Sequence, residues 1–111
     1  MDDASLIKIA KAIADPTRYA LLKAIAQREE ISCGQLAELF PVAQATVSHH
    51  LSQLVDVGLV EMRKHRQHHY FRMRWETVQR FGQELMRSLQ AKPEADDNAT
   101  ARCDTPVIGG G

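Results

Sequence analysis

A mainly α-helical fold with a small β-hairpin wing is what three features of this chain predict. The first is the stretch QATVSHHLSQLVDV, residues 44–57, where Val47, Leu51 and Leu54 recur at helical spacing and so share one face. The second is a shorter helix, Gln35–Phe40, joined to it through Phe40-Pro41-Val42, which is the spacing of a helix-turn-helix. The third is a two-stranded ribbon, Leu59–Lys64 and His69–Met73, flanking HRQH with basic residues at and beside its tip. Together they specify a winged helix-turn-helix.

The elements follow in chain order. Ser5–Ala14 reads as a helix with Leu6, Ile9, Ala10 and Ile13 on one face. Asp15 then caps a second helix with Pro16 at its first position, where a missing N–H costs nothing. This helix runs to about Arg28 and turns Leu21, Leu22 and Ile25 inward. Ser32 and Gln35 form a capping-box pattern for the third helix, whose buried side is expected to hold Leu36, Leu39 and Phe40. The fourth helix starts without such help, because the methyl of Ala43 offers no acceptor to the free N–H groups. Gly58 ends it. In the ribbon, Val60 and Met62 alternate with Glu61 and Arg63, as a half-buried strand requires, and Phe71 and Met73 share a face on the return.

A last helix, Trp75–Gln90, carries Trp75, Val78, Gly82, Leu85 and Leu89 in a near-heptad stripe. The core is already filled by the preceding elements, so the stripe calls for a second copy of the chain. Dimerisation through the first and last helices is therefore expected, with Leu6, Ile9, Ile13, Trp75, Val78, Leu85 and Leu89 at the interface. Residues 1–90 make one domain, and residues 91–111, without periodicity and rich in small and acidic residues, read as a disordered tail.

Composition sets the class. The chain has 111 residues, 44% hydrophobic and 25% charged, with formal net charge zero. The zero conceals a segregation: Arg63–Arg74 holds five Lys/Arg, three histidines and no acid, while acids collect at the N-terminus and in the tail. A local basic patch governs contact with a polyanion more than the overall sum does. The acidic start is no signal peptide and no apolar run could span a membrane, so a reducing cytoplasm is the expected compartment. Two distant cysteines make no disulfide framework. No nucleophile elbow, ordered triad or phosphate-binding glycine loop occurs, so no enzyme and no cofactor are expected.

The fourth helix lacks any Lys, Arg or Glu from Leu39 to Val55, which an ordinary solvated face would carry. Its polar side instead shows Gln44, Thr46, Ser48, His49, Ser52 and Gln53, short groups suited to base edges and nearby phosphates. His50 falls nearer the apolar stripe and is read as a packing or edge residue. Double-stranded DNA is the expected partner. Gln44, Thr46, Ser48, His49 and Ser52 are its expected contacts on the helix, and Arg63, Lys64, His65, Arg66, Gln67 and His68 those on the wing.

At these residues the chain resembles a known family. IADPTRYALLKAI, SCGQLAELF and QATVSHHLSQLVDVGLVEMRKHRQHHYFRM are similar, in order and spacing, to the ArsR/SmtB winged-helix repressors, over roughly Leu6–Leu89. The resemblance implies a homodimeric repressor on an imperfect operator palindrome, released by an inducer. The family's sensor sites do not carry over. Its Cys-x-Cys pair, aligned on Leu36, falls on Ser32 and Gly34, with Cys33 between them. Its dimer-helix ligands, aligned from Tyr70-Phe71, fall on Trp75, Thr77, Ser88 and Ala91. No metal site is therefore expected, since soft metals need converging thiolates or imidazoles. Pro41 also stands where the family usually has a turn glycine. An alternative stays open: a thiol- or metal-responsive sensor using Cys33 with Cys103, or the wing histidines His65, His68 and His69.

Overall fold

In the computed structural model, which describes residues 1–91, the first three helices begin at side-chain caps. Helix α1 (Asp3–Ile13) starts where the Asp2 carboxylate accepts from the Ser5 N–H at 2.9 Å. Helix α2 (Pro16–Ala26) has the expected cap, with Asp15 Oδ2 accepting from the Arg18 N–H at 3.0 Å. A two-residue strand β1 (Ile31–Ser32) leads into α3 (Cys33–Glu38), whose capping box closes as the sequence predicts. The Gln35 N–H donates to Ser32 Oγ at 3.1 Å, and the Ser32 N–H donates back to Gln35 Oε1 at 3.0 Å. Helix α4 (Gln44–Asp56) has no side-chain cap at Ala43, also as expected.

The end of α4 is sharply defined. Gly58 adopts φ of +83°, which lets its N–H reach Val55 O at 3.0 Å and the Leu59 N–H reach Leu54 O at 3.1 Å. These paired bonds satisfy carbonyls the last turn would otherwise leave open. The chain then runs straight into the wing, β2 (Val60–His65) and β3 (His68–Met73), and into α5 (Trp75–Gln90).

The sheet has three strands, not two. Its order is β1-β3-β2, all antiparallel, with Ile31 opposite Phe71 and Met62 opposite Phe71 on the other side. The short β1 ties the ribbon to the helical body, which a free hairpin would not achieve alone. His65 pairs with His68, so Arg66 and Gln67 form a two-residue turn. Arg66 carries φ of 60°, a left-handed conformation in a non-glycine residue.

One core organises the body. Ile9, Leu21, Leu22, Ile25, Ile31, Leu36, Val47, Leu51, Leu54, Leu59, Val60 and Phe71 pack together. Several expectations need correction here. Ile9 is buried in this core at 3% exposure and is unavailable to a second copy, while the neighbouring Ile7 is half exposed. The apolar face of α1 thus buries Ile9 and Ala12, and Ala10 is exposed. Leu39 is also 51% exposed, because α3 ends at Glu38 and its last turn tips that side chain outward. Val60 is buried at the root of the ribbon, but Met62, two residues further out, is beyond the body and 47% exposed. Among the described residues no helix is long and apolar enough to cross a membrane.

Candidate nucleic-acid interface

The capped start of α3, the open start of α4 and the tip of the wing converge on one groove. Its volume is about 540 Å3, and Gln44, Ser48, Gln67 and His68 line it together with Ser32, Cys33 and His69. Four residues expected at the interface on separate elements are thus brought together. Thr46, His49 and Ser52 continue the exposed face of α4 beyond the groove. The Ser52 hydroxyl donates to His49 O at 2.8 Å, so it remains available only as an acceptor. Lys64, His65 and Arg66 are exposed along the wing tip, and neither cation among them has an ion-pair partner among the described residues.

Two polar side chains are committed elsewhere. Gln53, which helical spacing assigns to the open face, is half-buried and accepts from Arg18 Nη1 at 2.7 Å. Its partner is 35 residues away in sequence, so no local pattern announces it. Arg63 is the second. Its Nε and Nη2 donate to the two carboxylate oxygens of Glu30 at 3.0 and 2.8 Å. Its guanidinium also lies 4.8 Å from the centre of the Tyr70 ring. The hydrogen bond from Arg63 holds the Glu30 carboxyl below the usual carboxylate range. Arg63 therefore braces the wing against the loop before β1 rather than standing open beside Lys64. His69, absent from the expected DNA contacts, enters the groove because strand alternation puts it on the same face as the buried Phe71, the face turned toward the helical body.

The outer flank of the molecule has a different chemistry. No residue of α5 is fully buried. Val78 and Phe81 lean on the core, as does Ile13 of α1. Trp75, Met86 and Leu89 are 58%, 59% and 76% exposed, with Ile7 of α1 at 50%. Leu6 and Leu85 are half-buried. Of the residues expected on a dimer face, Trp75 and Leu89 are thus the open ones; Met86, which widens the stripe of α5, and Ile7 of α1 are exposed as well. Cys33 is half-buried with a free thiol, and Cys103 lies outside the described residues. Among the described residues no group of three or more His, Cys, Asp or Glu is arranged to hold a metal ion.

Comparison with known proteins agrees with this geometry. Residues 13–63 match the family model of a helix-turn-helix domain. The HTH-type transcriptional regulator YceK of Bacillus subtilis (strain 168) is 31% identical over 81 residues, 72% of this chain and 81% of YceK. The arsenical resistance operon repressor of Staphylococcus xylosus is 35% identical over 80 residues, 72% of this chain and 76% of that repressor. A solved ArsR-like transcriptional regulator from Rhodococcus sp. RHA1 matches with a TM-score of 0.69 and 27% identity, over 76% of this chain and 78% of that one. These proteins are regulators of transcription and not enzymes. The helix-turn-helix, the wing with its three-stranded sheet and these relatives lead to one assignment: the chain belongs to the ArsR family of helix-turn-helix transcriptional regulators.

Proposed function

We propose that this regulator is a homodimeric repressor that reads a two-fold symmetric operator with α4 in the major groove and the wing on the adjoining backbone. The observation that carries the reading is the groove shared by Gln44, Ser48, Gln67 and His68, polar on the helix side and flanked by Lys64 and Arg66. Uncharged donors and acceptors discriminate base edges, whereas cations bind every phosphate alike. Residues 1–90 would carry both DNA binding and dimerisation. The dimer face would use Ile7, Trp75, Met86 and Leu89, with Leu6 and Leu85 beside them, since an apolar patch left open on a monomer is costly in water. Such a protein works in the bacterial cytoplasm, at the nucleoid when bound.

The test is selection of duplexes from a random-sequence pool, followed by footprinting. The reading expects a dyad with half-sites about one turn, ~34 Å, apart. A pool that yields no enriched sequence, or a footprint without a dyad, would sink it.

A second reading, release of DNA by a thiol oxidant or a metal, draws on one observation: Cys33 shares the groove with His68 and His69. The family's thiol-pair positions hold Ser32 and Gly34, so release by arsenite through that pair is not expected. Titrating the selected duplex under diamide, with wild type, Cys33→Ser and Cys103→Ser, decides between them. Loss of binding that both substitutions abolish would favour a cysteine switch.

A further inference from the structure

The apolar stripe of α4 holds that helix to the core, yet apolar burial is non-directional and does not by itself fix the helix's rotation about its own axis. Arg18, half-buried in the first turn of α2, makes the directional contacts. Its Nε donates to Ala12 O at 2.7 Å and its Nη2 to Lys11 O at 3.4 Å, both carbonyls in the last turn of α1. The last turn of a helix is short of backbone donors, with Lys11 O also accepting from the Ala14 N–H at 3.3 Å, and a cation is favoured there. On its other side, Arg18 Nη1 donates to Gln53 Oε1 at 2.7 Å and lies 3.3 Å from His50 Nδ1. A guanidinium has donors only, so in this contact His50 Nδ1 is the accepting side. Gln53 and His50 are the half-buried polar residues of α4, set apart from the exposed Gln44, Ser48 and His49.

We propose that Arg18 is a positioning residue that locks the rotation of the reading helix α4 to the end of α1, the helix on the proposed dimer face. Through it, the way two copies meet sets how both reading helices are presented to DNA. This rests on the dimeric DNA-reading assignment above. The planar fork is required, because a lysine ammonium cannot span Ala12 O and Gln53 Oε1 in opposite directions.

The experiment uses the full chain as wild type, Arg18→Lys, Gln53→Ala and the double variant. The probes are a duplex enriched by the wild type from a random pool and a scrambled duplex of equal length. Arg18→Lys should remain folded and of unchanged oligomeric state. It should bind the enriched duplex about tenfold more weakly, since charge-assisted hydrogen bonds are lost, and the scrambled duplex within about twofold of wild type. Its salt dependence should be unchanged. Gln53→Ala should reproduce part of the loss, and the double variant should be no worse than Arg18→Lys. Amide exchange should quicken in α4 but not in α2. Equal weakening on both duplexes with a shallower salt dependence would make Arg18 a phosphate contact and overturn the proposal. So would unchanged affinity and exchange. If Arg18→Lys unfolds, Gln53→Ala with wild-type discrimination and α4 exchange overturns it instead. A wild type that enriches no duplex refutes the DNA reading itself, and the exchange comparison then still decides whether Arg18 fixes α4.

Discussion

Helices α4 and α5 are amphipathic segments of 13 and 16 residues, and they solve opposite problems. Helix α4 buries Val47, Leu51 and Leu54 completely and, until the exposed Asp56 at its last position, shows water a face with polarity but no charge. Helix α5 buries nothing completely. It leaves Trp75, Met86 and Leu89 open while pairing Arg87 with Glu84 at 2.6 Å nearby. An uncharged polar face is cheaper to desolvate than a charged one and can still discriminate, which suits base edges. An open apolar face is itself costly until another apolar face covers it. The difference teaches that what an exposed surface lacks is as informative as what it holds.

The sharpest break in this contrast lies on α5. Leu89→Glu combined with Met86→Glu should leave the fold intact, since both side chains are exposed, and yield a monomer in sedimentation. Binding to a two-half-site duplex should fall by about 100-fold or more as the second contact is no longer intramolecular. A double variant that still sediments as a dimer would remove α5 from the interface.

Next in size is a pair of substitutions on opposite sides of α4. Leu51→Ala should cost about 2–5 kcal/mol in denaturant unfolding, because it opens a cavity in the core. Ser48→Ala, on the exposed side, should leave stability within about 0.5 kcal/mol. Its effect should appear as altered base preference instead. Equal stability losses would mean that the exposed face is packed against something the monomer itself supplies.

The wing permits a finer division. Lys64→Ala and Arg66→Ala should each weaken binding to all sequences and reduce the salt slope by about 0.9. Arg63→Ala should leave the slope unchanged, since Arg63 is already paired with Glu30. The Glu30 carboxyl is held below its usual range by that bond, so its contribution to stability is present above the unfolded value and is lost as pH falls through the folded one. Glu30→Gln should remove that acid-side component from an unfolding-against-pH series. A Glu30→Gln series that parallels wild type would show that the pair does not hold the wing.

The smallest effect concerns the open start of α4. Ala43→Ser should supply the missing cap and raise stability by about 1 kcal/mol in thermal unfolding. No gain would mean that the first turn is already satisfied.

Local chemistry explains which features the sequence reveals. Asp15 with Pro16, Ser32 with Gln35, and Gly58 each act within four residues, and each marks a helix end where expected. The bounds of α5 are also read in full, but from the period of its apolar stripe, since Arg74 supplies no side-chain cap at its start. Strand β1 is hidden because two residues carry no periodicity, and its pairing with Tyr70 and Phe71 is long-range. Ile9 and Ile7 are confused because Leu6, Ile7, Ile9 and Ile13 offer two overlapping stripes, and only the packed core selects one. Gln53 and Arg63 look available until Arg18 and Glu30, both more than 30 residues away, engage them.

The division of labour between helix and wing is the central claim, and parallel selection tests it most directly. Wild type, Gln44→Ala and Lys64→Ala would each be used to enrich duplexes from the same random pool. Gln44→Ala should change or erase the preferred base at one symmetric position in each half-site, a contact of about 1–3 kcal/mol. Lys64→Ala should enrich the wild-type sequence, only more weakly. If Gln44→Ala returns the wild-type sequence while Lys64→Ala returns a different one, the wing reads the bases and the account is wrong.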